Sequence, residues 1–305
     1  KWETLIKDRK REQLIEWEKY KINPEEEKKI IKKENKLSLS SLNRSIVFNN
    51  KIIGPDISWI VPPGLIWNEK YKFDASIRGN SGLENNNRFL NWNDGDAVGQ
   101  FYYQFLNNKY SSFGINIGMR SIHGNRNFRG GRTPIGEGLS AGFRYDYKIS
   151  DLSGIAFGGE QILHFDGLTD TGRDFYITAT KGWPSKNSNI FPIYLATAGL
   201  ATGKMAEGNI KGFCSNLFGG SGTELLHQRK LCWAPIFSLS RVHNTYFSNF
   251  FEFNSKHFLL GASYSPLKKI PLRGTFAIVL SDHIDNYKTH NLNELSYVFR
   301  LNLGI

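Results

Sequence analysis

The sequence predicts an all-β protein: an antiparallel, up-and-down transmembrane β-barrel of about twelve strands, preceded by an α-helical N-terminal extension. Three observations support this fold class. From residue 70 onwards, apolar and polar residues alternate at every second position, the alternating segments are long, and short connections alternate with long ones. With 305 residues, the chain is long enough for one large domain or two modest ones.

Residues 1–36 are charged and free of glycine, and we predict two helices there, roughly 2–21 and 24–35. Asn23 is placed to cap the second helix, because Pro24 suits the first helical position and the glutamates that follow suit the helix dipole. The apolar residues of the first helix form a weak stripe. This stripe either docks on another surface or belongs to a solvated, charged helix.

Short apolar pieces make up residues 37–69, where three prolines argue against long central strands. We predict that this segment is a connector, or that it lies inside the lumen or along the rim of a barrel formed by residues 70–305.

Twelve segments of residues 70–305 are predicted strands. In "LSAGFRYDYKI" (139–149), for example, apolar side chains alternate with Arg144, Asp146 and Lys148. Most of the segments contain 10–13 residues; a tilted transmembrane strand needs about 9–11, whereas strands of soluble sheets usually have about 5–6. The predicted strands are 70–79, 97–106, 111–122, 137–149, 154–166, 173–184, 189–203, 232–244, 246–254, 257–265, 271–282 and 293–305.

The predicted connections differ in length according to the end of the barrel at which they lie. Those at one end are all short: 107–110, 150–153, 185–188, 245 and 266–270. The other end has every long connection, including 80–96 and 204–231. A soluble sandwich has no reason to sort its loops in this way, whereas an outer-membrane barrel has short periplasmic turns and longer external loops.

Alternation alone does not say which face of the barrel meets water. In a soluble barrel the charged face would point outwards, and in a membrane barrel it would line the lumen. Aromatic residues near predicted strand ends, among them Tyr71, Tyr110, Trp183, Trp233 and Tyr264, favour the membrane because aromatic belts mark its interfaces. The charged residues that we then predict to face the lumen are Lys72, Asp74, Arg78, Arg120, Arg144, Asp146, Lys148 and Arg300.

The stretch "ELSYVFRLNLGI" (294–305) carries apolar side chains at every second position: Tyr297, Phe299, Leu301, Leu303 and Ile305. It resembles the C-terminal signature of Gram-negative outer-membrane β-barrel proteins of porin-like architecture, although the last residue is Ile where that class usually has Phe. The resemblance implies a location in the bacterial outer membrane, with lipid and the barrel-assembly machinery as partners. It also implies that residues 1–36 lie in the periplasm.

The sequence contains little that indicates catalysis, and we predict that the protein is not an enzyme. The histidines and cysteines lack metal-ligand spacing, so no metal or cofactor is predicted. Outer-membrane phospholipases carry a His-x-Ser pair, and none of the 7 histidines is followed two residues later by serine. A lipid hydrolase therefore remains only a lesser alternative. The net charge of +11 permits nucleic-acid partners, but no nucleic-acid motif is present.

A channel for the passive diffusion of small solutes is the predicted function, because a barrel of about twelve strands lies between the filled eight-stranded and the open sixteen-stranded types. Basic residues outnumber acidic ones among the predicted lumen residues, so we expect a preference for anions. Three arginines in "NFRGGRTPIG" and just before it could attract anions at the pore mouth: Arg126, Arg129 and Arg132. The alternatives are a lumen filled by mutually paired charges and a non-conducting structural, adhesion or receptor barrel that acts through its long loops. The sequence leaves the oligomeric state open.

Cys214 and Cys232 bracket a polar, glycine-rich segment. In an oxidising compartment a disulfide between them would stabilise the fold by about 3 kcal/mol in the chain-entropy account. The alternative is a pair of buried free thiols.

Overall fold

The computed structural model describes residues 37–39, 44–48, 52–64, 71–81, 97–119, 138–165, 173–184, 191–206, 213–215, 231–255, 257–267, 270–282 and 297–305. The helices predicted in residues 1–36 lie outside the described residues. No helix in the described part of the chain is long and apolar enough to cross a membrane.

Strands dominate the described residues. The first three are short: β1 (Leu37–Leu39), β2 (Ser45–Phe48) and β3 (Ile52–Asp56). The others are β4 (Phe73–Ser81), β5 (Val98–Asn107), β6 (Ser111–Met119), β7 (Ser140–Ser150), β8 (Ser153–His164), β9 (Asp174–Pro184), β10 (Ile193–Ala201), β11 (Phe213–Ser215), β12 (Leu231–Val242), β13 (Phe247–Phe253), β14 (His257–Tyr264), β15 (Leu272–Asp282) and β16 (Tyr297–Gly304).

The long strands close into a barrel in which each strand runs antiparallel to its neighbours. Strands β4 to β10 follow one another around the wall, and so do β12 to β16. β10 pairs with β12, where Ile193 lies opposite Val242, and β16 pairs with β4, where Arg300 lies opposite Arg78. These two pairings complete a closed barrel of twelve strands, which confirms the predicted fold class.

The barrel is apolar outside and polar inside, the reverse of a water-soluble barrel. On β7, Tyr145 and Tyr147 are 40% and 47% exposed, whereas Arg144 and Asp146 are 4% and 1% exposed. Every barrel strand carries at least one large exposed apolar side chain: Ile77, Phe101, Ile115, Tyr145, Ile155, Ile177, Tyr194, Leu239, Phe247, Leu260, Phe276 and Leu301. Because a continuous apolar band of this kind suits lipid and not water, the chain has the surface of a membrane-spanning barrel.

The two ends of the barrel differ, as the sequence predicts. Short turns lie at one end, which we call the short-turn end: 108–110, 151–152 and 243–246. At this end two cations lie over aromatic rings of the outer surface, Lys181 over Trp183 at 5.6 Å and Arg241 over Tyr194 at 5.5 Å. Such aromatic and basic side chains are typical of a membrane–water interface.

β11 extends the sheet beyond β10. It pairs with the first residues of β12, where Phe213 lies opposite Trp233 and Cys214 lies opposite Cys232. β10 pairs with the same strand from Ala234 onwards. β11 therefore continues the line of β10 along β12, at the end of the barrel with the long connections.

Residues 44–48 and 52–64, which we call the inner segment, lie inside the barrel. Their apolar side chains pack on inward-facing wall residues in several clusters. Ile46, Phe48 and Ile57 pack with Ile193, Leu195 and Val242; Val47 and Ile53 pack with Tyr71 and Tyr102; Trp59 packs with Phe250, Leu259 and Ala277. The prediction that Tyr71 belongs to an interfacial aromatic belt is therefore wrong, because Tyr71 is buried against the inner segment.

Candidate functional site

Asp56, at the end of β3, joins the inner segment to two arginines of the barrel wall. Its carboxylate accepts hydrogen bonds from Arg273 Nε at 2.9 Å, Arg300 Nη2 at 2.8 Å and Thr275 Oγ1 at 2.8 Å. Burial raises the pKa of the Asp56 carboxyl group, but the two guanidinium groups and the Thr275 hydroxyl outweigh burial and lower the pKa to about 2. The carboxylate is therefore ionised throughout the physiological pH range.

The register of two neighbouring strands explains why these partners meet. Arg273 and Thr275 are two residues apart on β15, so both point into the lumen. Thr275 lies opposite Arg300 on β16. Arg273 also donates from Nη2 to the Asp74 carboxylate on β4 at 2.9 Å. A chain of ion pairs thus runs from the wall through Arg273 to Asp56 and back to the wall through Arg300.

Arg300 makes further contacts with the inner segment. Its Nη1 donates to the carbonyl of Trp59 at 2.7 Å, and its Nη2 donates to the carbonyl of Ser58 at 2.9 Å. The guanidinium carbon also lies 4.8 Å from the centre of the Trp59 ring, within cation–π distance. One wall side chain therefore holds three residues of the inner segment.

Glu252, on β13, binds the backbone of the inner segment. Its carboxylate accepts hydrogen bonds from the N–H groups of Trp59 at 2.6 Å, Ile60 at 2.6 Å and Val61 at 2.9 Å. Three successive N–H groups that converge on one point form a concave site for an anion. Glu252 supplies that anion from the wall and satisfies backbone donors that no strand pairing reaches.

The end of the inner segment lies tightly against β8 and β9. The N–H of Gly64 donates to Thr180 Oγ1 at 2.6 Å, and Thr178 Oγ1 donates to the carbonyl of Pro62 at 2.7 Å. A Cβ atom at Gly64 would lie 2.7 Å from the carbonyl oxygen of Gly154. Only glycine therefore fits at this close approach to the wall.

Two more arginines cross between the inner segment and the wall. Arg144, on β7, donates to the carbonyl of Pro63 at 2.6 Å and forms an ion pair with Asp146 at 2.9 Å. Arg44, in the inner segment, donates to a backbone carbonyl there and forms an ion pair with Glu160 of β8 at 3.3 Å. Arg44, Arg144, Arg273 and Arg300 are each paired with a carboxylate, as burial of a charge requires.

The inner segment therefore occupies the lumen at the level of these contacts, and its interface with the wall is largely polar. Serine and threonine hydroxyls, carboxylates and guanidinium groups bind its backbone, while its few apolar side chains fill the spaces between them. Within the described ranges, no group of three or more His, Cys, Asp or Glu side chains could hold a metal ion. The site binds a peptide segment of the same chain through polar groups of the wall.

The predicted lumen residues lie in different environments. Asp74, Arg144, Asp146 and Arg300 are buried inside the barrel, and the first and last of these belong to the Asp56 network. The remaining described lumen residues are Lys72, exposed directly before β4; Arg78, half-buried on β4; and Lys148, half-buried and paired with Asp151 at 2.7 Å. Arg120 and the predicted pore-mouth residues Arg126, Arg129 and Arg132 lie outside the described residues.

The residues of the predicted assembly signal lie on or beside β16. Leu301 and Ile305 are 40% and 63% exposed, and Tyr297, Phe299 and Leu303 are half-buried. The backbone of Ile305 continues the pairing with β4, because its N–H donates to the carbonyl of Phe73 at 2.7 Å. Recognition by assembly machinery stays a prediction.

Arg44, Asp56 and Glu252 are functional residues that the sequence reasoning missed. The signal for Glu252 was present: it is a single acid between Phe251 and Phe253 in an otherwise apolar stretch of β13. At the alternate, inward position of a lipid-facing strand, such an acid needs a partner inside the barrel. Arg44 and Asp56 lie in a segment without regular alternation, so the sequence indicates no partner for them.

No protein-family model matches this chain, and no curated protein matches it. Among solved structures, the chain is similar to the NanC porin in its rhombohedral crystal form. The two share 8% sequence identity at a TM-score of 0.40, over 76% of this chain and 98% of the other. This likeness is distant, and the fold follows from the strand pairing of this chain alone.

The polar lumen and the apolar outer surface together identify the architecture of the protein. Its twelve strands close through β10–β12 and β16–β4, its outer face is apolar, and its polar interior holds the inner segment. The chain thus has the architecture of a membrane-spanning β-barrel, with its lumen occupied by residues from its own N-terminal side.

Proposed function

We propose that the protein is an outer-membrane channel for small solutes which the inner segment closes at rest. The observation that carries this proposal is the chemistry of the contact between the inner segment and the wall. The wall side chains that bind the segment are Ser, Thr, Glu and Arg, and they bind mainly its backbone carbonyl and N–H groups. Water can replace such contacts, so displacement of the segment would leave a hydrophilic lumen.

The proposed preference for anions depends on the cations of the wall. All acceptors of Arg300 that the structure describes belong to the inner segment, so displacement would leave its guanidinium facing the lumen. The same displacement would release Glu160 and Glu252. The open lumen would then carry charges of both signs. Because Arg144 would stay paired with Asp146, Arg300 would have to outweigh these two acids for anions to be favoured.

Conductance of the purified full chain in a planar bilayer tests the proposal. We expect small or rare current steps from the unsubstituted protein and frequent steps from Asp56→Asn, which weakens the ion pairs with Arg273 and Arg300. Asp151→Asn is the matched control, because it removes an exposed carboxylate from the turn between β7 and β8. A folded Asp56→Asn barrel that stays as silent as the control would contradict a gated channel.

The second candidate is a non-conducting structural, adhesion or receptor barrel. The apolar packing of the inner segment favours it, because Phe48, Ile57 and Trp59 each insert into a buried cluster. The long connections between the barrel strands would then act at the outer face. Silence of the Asp56→Asn barrel, together with unchanged protection of the inner segment from protease, would support this candidate.

We also propose the orientation that the strand connections favour. The short-turn end would face the periplasm, where residues 1–36 would also lie, and the long connections would face the exterior. Protease added to intact cells should then cut within 202–230 and spare residues 1–36; cleavage in residues 1–36 would contradict this orientation.

A further inference from the structure

One side of the lumen carries polar atoms that lack a hydrogen-bond partner among the described residues. They belong to six inward side chains on four adjacent strands, β15, β16, β4 and β5. The atoms are Ser76 Oγ, both amide atoms of Gln104, Asn107 and Asn302, Arg273 Nη1 and Arg300 Nε. Asn302 is fully buried, Gln104 is 1% exposed and Ser76 is 5% exposed.

These side chains lie along one side of the wall, with the inward-facing pair Asp74 and Tyr102 between Gln104 and Ser76. Asn302 lies opposite Ser76 on one side and opposite Arg273 on the other. Gln104 lies closer to the short-turn end, since its N–H donates to the carbonyl of Lys72 before β4 begins. Asn107 is the last residue of β5, directly before the turn 108–110. These side chains therefore extend from the short-turn end to Arg300 and the Asp56 ion pairs.

On the opposite wall, the hydroxyl groups of Thr178, Thr180 and Thr197 all have hydrogen-bond partners. Thr180 accepts from the N–H of Gly64 and bonds to Thr197 at 2.8 Å, and Thr178 donates to the carbonyl of Pro62. A buried amide that has left water without gaining a partner is strongly unfavourable, and an Asn or Gln side chain offers two donors and two acceptor positions. Water or a small polar solute can satisfy such a group where the protein does not.

We propose that a hydrated seam lies between the inner segment and the β15–β16–β4–β5 wall, entered from the short-turn end past Asn107 and Gln104. The seam takes water and small hydrogen-bonding or ionic solutes, because amide, hydroxyl and guanidinium groups line it. Water at Arg273 and Arg300 would also assist the release of Asp56. That last consequence rests on the proposed gating, whereas the seam itself does not.

Cysteine accessibility tests the seam without any measurement of conductance. The full chain, folded in lipid vesicles, is treated from both sides with a small, water-soluble methanethiosulfonate, and the unsubstituted chain with Cys214 and Cys232 gives the background rate. Ser76→Cys is compared with Thr197→Cys, a control of equal exposure (5%) on the opposite wall. We expect Ser76→Cys to react at least about 10-fold faster. Equal rates, whether fast or slow, would overturn the seam.

A second variant tests where the seam opens. Gln104→Leu, added to Ser76→Cys, puts an apolar side chain of similar size at the proposed entrance, and we expect the reaction at Cys to slow several-fold. An unchanged rate would overturn entry from the short-turn end. A negative outcome of either cysteine experiment would not contradict the proposed channel. Gating depends on the contacts of Asp56 and Glu252 and is measured by conductance.

Discussion

Glu252→Gln should release the inner segment from β13. Glutamine has the shape of glutamate, but its amide nitrogen cannot accept a hydrogen bond. If its oxygen keeps the bonds from Ile60 and Val61, the N–H of Trp59 faces an amide nitrogen and loses its acceptor. An unsatisfied buried donor costs about 1–3 kcal/mol, and two bonds that lose their charge weaken by about 1 kcal/mol each.

The free energy that holds the segment in place should therefore fall by about 3–5 kcal/mol. Since about 1.4 kcal/mol corresponds to a factor of ten, the released fraction should rise roughly 150- to 4,000-fold. Limited proteolysis reports this fraction, because cleavage follows the population of the open form when opening and closing are fast. Trypsin cuts after Arg44, which is only 1% exposed while the segment is bound.

The experiment compares trypsin cleavage at Arg44 in Glu252→Gln, in Asp151→Asn and in the unsubstituted protein, each first shown to be a folded barrel. Asp151→Asn removes a carboxylate of the same charge at an exposed turn, so it should cleave at the unsubstituted rate. If folded Glu252→Gln is cleaved within about threefold of the unsubstituted rate, the three backbone hydrogen bonds do not hold the segment and the reasoning is wrong.

Four further predictions concern selectivity, pH, the cysteines and assembly. Arg144→Glu in a conducting barrel should shift the reversal potential across a salt gradient towards cation selectivity. An unchanged reversal potential would show that Arg144 does not lie on the path of the ions. Because the pKa of Asp56 is lowered from 3.8 to about 2, its contribution to holding the inner segment is complete above about pH 4 and is lost as the pH falls through 2. Asp56 should therefore not titrate between pH 8 and pH 5, and an infrared carboxyl band that appears in this range and is absent from Asp56→Asn would contradict this. Cys214 and Cys232, which lie opposite each other on paired strands, should resist alkylation until a reductant is added; modification of either in the non-reduced protein would exclude the disulfide. Ile305→Asp should reduce the fraction of the protein that is heat-modifiable and assembled in the membrane of cells, whereas Ile305→Phe should not. Equal assembly of the two variants would show that Ile305 is not part of the predicted assembly signal.

The barrel strands could be predicted from the sequence because lipid and lumen impose opposite chemistry on alternate residues. β7 (Ser140–Ser150) was predicted at 137–149, where tyrosines alternate with Arg144 and Asp146. β11 was missed, since three residues are too few to show a period. The prolines correctly argued against a long strand at the end of the inner segment, where the carbonyls of Pro62 and Pro63 accept from the wall.

The interior contacts could not be predicted from the sequence, because they join residues that are far apart in the chain. Asp56 binds Arg273, 217 residues away, and Arg300, 244 residues away. Sequence periodicity identifies Arg300 as inward but does not name its partner. The count of lumen charges predicted from the sequence was also incomplete. It left out Asp56 and Glu252, whose negative charges offset part of the predicted excess of cations.

β16 has a consequence for the order in which the protein can assemble. This strand seals the wall by pairing with β4, and its Arg300 holds Asp56, Ser58 and Trp59 on the inner side. Gly304 lies so close to Ile53 that a Cβ atom there would be 2.3 Å from the Ile53 side chain. The same strand therefore closes the wall and contacts the inner segment, and we expect the inner segment to be in position when β16 first joins β4. The inner segment would then serve as a template for closure of the barrel. In a chain that cannot fold this segment inwards, β4 and β16 should stay unpaired as open sheet edges.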